Sequence, residues 1–267
     1  MPWEPKLQDP IILSEVVARY QAGATPKSLE DFAGVGESAI RRLLKREGVV
    51  LRGHHEVRTT HTLDETAFDT HPHAPYWVGL LLTDGHVRKD PRRTNSFGVC
   101  LSLQRQDAAT VEAFRQFLGY SGAVGLSTAY ASLQVSSKKL FEALSRWGVT
   151  PQKTREGAAH PRLVQDPAFW RGVIDGDGSL WSQGGKPRVS LCSASERLVR
   201  QFAEFCQNCY ATRASVRQTR TPTGLPFFVY TCAGRGALAV LVRLYDAEGP
   251  SIVRKRARAF EFIQRGA

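Results

Sequence analysis

Two stretches of this chain nearly repeat each other: Trp77-Val78-Gly79-Leu80-Leu81-Leu82-Thr83-Asp84-Gly85 and Trp170-Arg171-Gly172-Val173-Ile174-Asp175-Gly176-Asp177-Gly178. Each is an apolar segment with a glycine near its start, and each ends in Asp-Gly. The early glycines stand at the same spacing before Asp84 and Asp177, which leaves Asp175 opposite Leu82. A duplicated motif that ends in a carboxylate predicts a two-fold active site, suited to a substrate with two similar halves.

Both stretches are expected to form helices that end at a carboxylate. Leucines favour helix, and Gly85 and Gly178 are natural C-terminal stops. A carboxylate is unfavourable there because the carbonyl end of the helix dipole is already negative, and two such helices side by side would bring two carboxylates together. The early glycines remove side-chain bulk and allow that approach. Divalent cations between the carboxylates and the helix-end carbonyls would make it favourable. The alternative is that each Asp-Gly simply forms a turn.

The paired stretches resemble the motifs of the LAGLIDADG homing endonucleases, single-chain two-motif type. The second motif, Gly-Val-Ile-Asp-Gly-Asp-Gly-Ser, is a very close match, whereas the first carries Leu82 where many members have an acid. The metal-binding acid of the family corresponds to the later position, so this departure matters little. The resemblance runs from about Pro75 to the C-terminus. It implies an α+β fold in which two pseudo-symmetric αββαββα repeats form a saddle-like DNA-binding sheet.

The resemblance also implies a metal site. Asp84 and Asp177 would hold divalent cations with the main-chain carbonyls of Thr83 and Gly176, with Mg²⁺ as the cofactor and Ca²⁺ as a non-cleaving substitute. The implied activity is hydrolysis of both strands of double-stranded DNA at a long asymmetric site, in the service of intron or intein mobility. The implied state is a monomer.

Basic residues near the site are a further family feature. The segment from Gly148 to Lys153 resembles the family stretch that supplies one of them, which points to Lys153. Lys255 is the only lysine in the corresponding region of the second copy. Both are candidate catalytic residues, and the alternative is that they are ordinary phosphate or solvent contacts.

The overall composition indicates a polyanionic partner. The 267 residues include 36 Lys and Arg against 25 Asp and Glu, which gives a net charge of +11 and an isoelectric point near 9.7. A generically basic enzyme would have the same charge, so the charge supports DNA binding without proving it. No apolar run approaches the ~20 residues of a membrane span. Five cysteines, an odd number, favour reduced thiols, and we expect a cytoplasmic protein acting on DNA.

Residues 1–50 are predicted to form a separate module of three short helices. Gly34-Val35-Gly36 makes a turn before a last helix with Ile40, Leu43 and Leu44 directed inward. The pattern resembles the helix-turn-helix of resolvase-type DNA-binding domains. A packing or dimerisation module is the alternative. The basic residues predicted to contact DNA here are Arg41, Arg42 and Lys45.

Residues 51–74 are predicted to be a linker, followed by the first repeat over 75–160 and the second over 161–267. The linker is either an extended basic segment that follows a DNA groove or a flexible tether. Alternating patterns predict strands near Asn95–Gln104 and Arg188–Cys192, and hairpins near Ala123–Ser136 and within Arg213–Cys232.

Polar residues on the predicted outer faces of these strands would contact DNA in the major groove. A merely solvated sheet face would look the same. The candidates in the linker and the repeats are Arg52, Ser102, Gln104, Gln134, Arg188, Ser190, Arg213, Arg217 and Arg220, of which the last three arginines and Arg188 are expected to contact guanine or phosphate.

Two other functions of the same fold compete with the nuclease. A transcription regulator that never cuts DNA has no need for costly paired carboxylates, so Asp84 and Asp177 argue against it. An RNA intron maturase would bind structured RNA, but the major groove of A-form RNA is too narrow for a recognition helix. The helix-turn-helix therefore argues against a dedicated RNA partner.

Overall fold

A computed structural model describes residues 9–22, 24–51, 61–89, 96–151, 153–211 and 215–266. The chain divides into two compact units, Met1–Thr60 and His61–Ala267. Two of the predicted DNA contacts, Arg52 and Arg213, lie outside the described residues. Among the residues that are described, no helix is both long and apolar enough to cross a membrane.

The first unit is helical. Its elements are α1 (Pro10–Gln21), a 3₁₀ turn (Lys27–Leu29) that leads into α2 (Glu30–Ala33), and α3 (Glu37–Arg46). Asp9 caps α1 by accepting a 2.8 Å hydrogen bond from the amide of Ile11, and Gly34 ends α2 in the left-handed region with φ of 66°. The buried side chains include Val16, Tyr20, Leu29, Ile40, Leu43 and Leu44, so the predicted inner face of α3 is confirmed.

The second unit contains two copies of one arrangement. The first copy consists of α5 (Ala74–Thr83), β1 (Gly85–Lys89), β2 (Phe97–Gln104), α6 (Ala108–Phe117), β3 (Gly125–Leu126), β4 (Tyr130–Val135) and α7 (Lys138–Arg146). It is preceded by the short α4 (Ala67–Thr70) and followed by the short α8 (Lys153–Glu156).

The second copy follows the same order. It consists of α9 (Pro167–Asp177), β5 (Gly178–Gln183), β6 (Lys186–Ser193), α10 (Glu196–Cys209), β7 (Arg217–Arg220), β8 (Pro226–Ala233) and α11 (Arg235–Tyr245), and α12 (Val253–Gly266) closes the chain. The antiparallel sheets have the matching strand orders β1-β2-β4-β3 and β5-β6-β8-β7. The predicted α+β class and the pair of αββαββα repeats are therefore confirmed.

Alternation of apolar and polar residues explains the core of each repeat. Val99 and Leu101 on β2, and Val189 and Leu191 on β6, are fully buried under the helices. The strands that directly follow the motif helices, β1 and β5, are too polar to have been placed individually from the sequence, although the repeat pattern required a strand at each position.

The predicted linker is too long at its C-terminal end. The boundary between the units falls after Thr60, and the chain beyond it packs on the first repeat. Phe68 is fully buried against the rings of Phe114 and Phe117, and the amide of Thr62 donates to Ser121. The polar composition of this segment hid the few apolar residues that anchor it.

Candidate active site

The two motif helices, α5 and α9, lie against each other backbone to backbone. A Cβ at Gly79 would overlap the carbonyl oxygen of Phe169, and a Cβ at Gly172 would overlap that of Tyr76. A side chain at either position would push the helices apart, so this packing requires glycine. The predicted role of the two glycines in close approach is confirmed.

This packing brings the C-terminal ends of the helices together. Asp84 follows α5 and Asp177 is the last residue of α9, and both side chains remain accessible to solvent. A Cβ at Gly176 would overlap Thr83 Oγ1 and would lie 3.3 Å from Asp84 Oδ2. The carboxylate of the first motif thus lies beside the last turn of the second motif helix.

The surroundings disfavour negative charge on both carboxyls, although each keeps contact with water. Burial, and then the negative charge of Asp177, raises the pKa of Asp84 to about 6, while Lys255 and Lys153 act in the opposite direction. Burial also raises the pKa of Asp177, again against the effect of the two lysines. Carboxylates crowded in this way are stabilised by a bound cation.

The two predicted catalytic lysines both reach the helix ends. Lys153 Nζ donates to the carbonyl oxygens of Leu82 at 2.7 Å and Thr83 at 2.8 Å. Lys255 Nζ lies within 3.2 Å of the carbonyl oxygens of Ile174, Asp175, Gly176 and Gly178. Burial lowers the pKa of both ammonium groups, and the nearby carboxylates oppose that change.

The oxygen atoms at the helix ends are the kind of ligand that Mg²⁺ and Ca²⁺ prefer. Among the described residues there is no cluster of three or more His, Cys, Asp or Glu side chains able to hold a metal. A divalent cation would therefore depend on Asp84, Asp177 and main-chain carbonyls such as those of Thr83 and Gly176. These hard oxygen donors fit an alkaline-earth cation and would suit zinc poorly.

Asp175, the acid that the first motif lacks, is 1% exposed and holds the site together. Its carboxylate accepts hydrogen bonds from the hydroxyls of Tyr76 at 2.9 Å and Tyr245 at 2.7 Å, and from the amide of Ile252 at 2.7 Å. Burial raises the pKa of Asp175, and these three donors oppose the rise. Because Ile252 directly precedes the helix that carries Lys255, Asp175 links both motif helices to the Lys255 segment.

The sequence alone assigns no role to Asp175. The signal was its alignment with Leu82, which is 5% exposed, because an acid at an interior position needs hydrogen-bond partners. Nothing in the sequence identified Tyr76 and Tyr245 as those partners, since they lie far away along the chain.

Most of the predicted DNA contacts in the repeats lie on solvent-facing strand positions. Five of them are exposed, namely Ser102, Gln104, Gln134, Arg217 and Arg220. Arg188 is partly buried, and its Nε has no hydrogen-bond partner in the described part of the chain. Tyr130, which was not among the predicted contacts, is 57% exposed and lies opposite Gln104 in the ladder between β2 and β4. Its alternation with Gln134 along β4 places the two residues on the same face of the strand.

Ser190 contradicts the prediction. The alternation along β6 placed its side chain outward, but Ser190 is only 3% exposed. Alternation tells which face of a strand a residue occupies, and it does not tell whether other parts of the chain cover that face. Ser190 therefore cannot contact DNA without local rearrangement.

In the N-terminal unit, considered by itself, α3 has a basic outer face. Arg42 and Lys45 are exposed, and Arg41 is partly exposed and forms a 2.7 Å ion pair with Glu37 one turn earlier. The turn before α3 and this basic face are the features expected of a helix-turn-helix. Whether the unit binds DNA stays a prediction.

Comparisons with known proteins support the fold. No protein-family model matches the chain, and no curated protein matches it. The structure is similar to that of the LAGLIDADG homing endonuclease I-GzeII in complex with its DNA target, with a TM-score of 0.51 and 10% identity over 72% of this chain and 89% of that one. Two further similar structures are the LAGLIDADG meganuclease I-AabMI bound to uncleaved DNA (TM-score 0.49, 12% identity, 72% and 90% covered) and the meganuclease I-SmaMI bound to uncleavable DNA (TM-score 0.47, 12% identity, 72% and 89% covered). The sheet order, the glycine-mediated helix packing and the likeness to I-GzeII together show that this chain has the LAGLIDADG homing endonuclease fold.

Proposed function

We propose that this protein is a site-specific endonuclease that cleaves both strands of double-stranded DNA with the help of divalent cations. The observation that carries the proposal is the meeting of Asp84 and Asp177 at the ends of two glycine-packed helices. One acid comes from each repeat, so the site has the two-fold character that duplex cleavage needs.

The acidic and the basic residues at the helix ends would have different roles. Asp84 and Asp177 would hold the cation with the carbonyls of Thr83 and Gly176. When bound, Mg²⁺ would polarise the scissile phosphate and lower the pKa of an attacking water, and Ca²⁺ would support binding without cleavage. Lys153 and Lys255 lie close enough to the carboxylates to affect their pKa values, and their positive charge would stabilise the charge that develops on the phosphate.

The exposed polar faces of the two sheets would bind the duplex, one half of a long asymmetric site to each repeat. Arg188, Arg217 and Arg220 are the proposed contacts to guanine or phosphate, because arginine donates to both. The N-terminal unit would extend the site through Arg41, Arg42 and Lys45. One chain supplies both acids, so a monomer suffices.

The paired acids also separate this proposal from its alternative, a regulator of the same fold that binds DNA without cutting it. Packing two carboxyls at the negative ends of two helices is costly, and binding alone would not select for it. The raised pKa of Asp84 is the physical sign of that cost.

A cleavage assay with a plasmid that carries the gene's own flanking insertion-site sequence tests the proposal. We expect a double-strand break with Mg²⁺ and binding without cutting with Ca²⁺. Asp84→Asn and Asp177→Asn should each lower cleavage by orders of magnitude while target binding stays near that of the wild type. Full activity of either variant would disprove the assignment of one acid to each motif.

A further inference from the structure

We infer that Lys153 and Lys255 act as internal cations that neutralise the motif helix ends in the metal-free protein and give up shared main-chain oxygens when a divalent cation binds. The inference rests on the proposed function for the identity of the incoming cation. It goes beyond that function by giving the two lysines a role before DNA is present.

The contacts of Lys255 are those of a cation bound by carbonyls. Its ammonium lies 2.7 Å from the oxygens of Ile174 and Asp175, 2.8 Å from that of Gly178 and 3.2 Å from that of Gly176. An ammonium has three N–H donors, so the four oxygens share them. The oxygen of Ile174 also accepts the amide of Gly178, so Lys255 adds a second donor there. For the carbonyls of Asp175 and Gly176 it takes the place of helix amides, which would lie beyond the end of α9.

Lys153 repeats this arrangement on α5 with fewer partners. Its ammonium donates to the carbonyl oxygens of Leu82 and Thr83 at 2.7 and 2.8 Å. Each lysine comes from outside its motif helix, Lys153 from α8 and Lys255 from α12. The positive charge therefore reaches the helix end through tertiary contact, where it opposes both the helix dipole and the adjacent carboxylates.

The oxygens bound by the lysines overlap with the proposed cation ligands. Thr83 O accepts from Lys153, and Gly176 O accepts from Lys255 in the longest of its four contacts. A divalent cation bound to a carbonyl oxygen offsets the repulsion between that oxygen and the nearby carboxylates. The oxygen then no longer depends on the lysine ammonium for positive charge. Cation binding would therefore free Lys153 more completely than Lys255, which keeps three other oxygens.

Release of the ammonium from a helix-end carbonyl would let the lysine act on the DNA. A lysine that leaves a helix-end carbonyl remains near the carboxylates, where its ammonium can turn toward a phosphate. Cation binding and release of the lysine ammonium would then be coupled, and Lys153 would be released more readily than Lys255.

Thermal unfolding of full-length protein in EDTA and in saturating Ca²⁺ tests the inference, and it does not depend on DNA cleavage. Lys255→Met in EDTA should lower Tm by roughly 5 °C, because it leaves crowded helix-end carbonyls and carboxylates without a cation. Lys153→Met should lower it less. Ca²⁺ should restore most of each loss, so it should raise Tm more in the two variants than in the wild type.

Arg258→Met is the matched control. Arg258 lines the same cleft as Lys255 but donates to Glu261 at 2.6 Å, so its loss removes one positive charge without touching a helix-end carbonyl. Because the substitution also removes the stacking of the guanidinium on the Phe262 ring, Tm should fall slightly and by the same amount in EDTA and in Ca²⁺. Calorimetric titration should also show several-fold tighter Ca²⁺ binding by Lys153→Met than by Arg258→Met.

Two outcomes would overturn the inference. One is that both lysine variants are as stable as Arg258→Met in EDTA, and the other is an equal Ca²⁺-induced rise of Tm in all four proteins. If Lys255→Met does not fold, the Lys153→Met comparison decides alone. Another outcome is that the wild type never cuts DNA while the lysine variants still gain more Tm from Ca²⁺ than the wild type does. That result would disprove the proposed nuclease activity and would leave the replacement of the lysine ammonium by a divalent cation supported.

Discussion

The hydroxyl of Tyr76 donates a 2.9 Å hydrogen bond to the carboxylate of Asp175, so a side chain of the first motif helix completes the buried acid of the second. The two repeats share their topology and differ in this chemistry, because the position opposite Asp175 is the apolar Leu82, which needs no partner. The bond crosses between the helices whose ends carry Asp84 and Asp177. It therefore contributes to the alignment of the two acids.

Tyr76→Phe should destabilise the protein. The substitution removes one of the three donors to a buried carboxylate, which costs about 1–3 kcal/mol. At ~2–4 °C for each kcal/mol, Tm should fall by several degrees in a thermal melt. Tyr245→Phe removes another donor to the same carboxylate, and the effects of the two substitutions should not be additive.

Tyr130→Phe is the control for the hydroxyl itself. Tyr130 is 57% exposed, so loss of its hydroxyl should leave Tm nearly unchanged. Equal melting temperatures for Tyr76→Phe and Tyr130→Phe would mean that the Tyr76–Asp175 hydrogen bond contributes nothing to stability.

Gly79→Ala should be among the most damaging single substitutions in the second unit. Its Cβ would overlap the carbonyl oxygen of Phe169, and backbone cannot move aside as a flexible side chain can. Separating the helices should lower the free energy of unfolding by about 3 kcal/mol or more, and cleavage should fall because the two acids move apart. Chemical denaturation measures the first effect and the plasmid assay the second.

Gly125→Ala provides the comparison, since the nearest atom to an added Cβ there is Ser132 Oγ at 3.3 Å, on a side chain that can rotate. We expect its unfolding free energy to stay within about 0.5 kcal/mol of the wild type. If Gly79→Ala were equally mild, the helices would have room to spare and the close-packing explanation would be wrong.

The sequence predicted what depends on local pattern. Matched Asp-Gly motifs identified both central helices, and period-two alternation placed β2 and β6 to within about two residues of their observed bounds. The predicted helices of both repeats were found in the predicted order. A duplicated motif gave the pseudo-symmetry directly, because each copy supports the interpretation of the other.

Features that depend on contacts distant in the chain escaped prediction. The buried state of Ser190, the donors to Asp175 and the anchoring of Phe68 follow from which elements cover which, and pattern alone does not contain that information. The lysines are an intermediate case. Resemblance selected Lys153 and Lys255, but their carbonyl partners became visible only in three dimensions.

The pKa of Asp84 predicts how the stability of the metal-free protein depends on pH. In the folded protein this pKa is raised from 3.8 to about 6, so between these values the folded state binds more protons than the unfolded state. Stability therefore falls as pH rises through this window, and the deficit remains at higher pH. Because Asp84 is accessible to solvent, screening should limit the effect to about 1 kcal/mol or less.

Asp84→Asn removes this dependence. In EDTA the variant and the wild type should melt together near pH 4, and the variant should melt higher at pH 8, by about 2–4 °C at most. Saturating Ca²⁺ at pH 8 should reverse the order, because only the wild type offers the second carboxylate. A variant that melts clearly below the wild type in EDTA at pH 8 would contradict the proposed crowding of the two acids.

Removal of residues 1–60 should weaken DNA binding without moving the cut. The boundary between the two units falls after Thr60, and both Asp84 and Asp177 lie beyond it. A protein that starts at His61 should cut the same phosphates at high enzyme concentration. Its binding should depend less steeply on salt, because the loss of Arg41, Arg42, Lys45 and Arg52 removes up to about four predicted phosphate contacts, each of which contributes ~0.9 to the slope of log K against log salt.

Footprinting distinguishes a DNA-reading unit from a packing module. If α3 lies in a groove, the truncated protein should lose protection on one flank of the site only, since a single chain carries one such unit. The full-length variant Arg42→Ala/Lys45→Ala should show the same one-sided loss while keeping its melting temperature, because both side chains are exposed. A footprint that stays complete in both proteins would leave packing or dimerisation as the role of the N-terminal unit. The nuclease assignment would then rest on the second unit alone, where the paired acids lie.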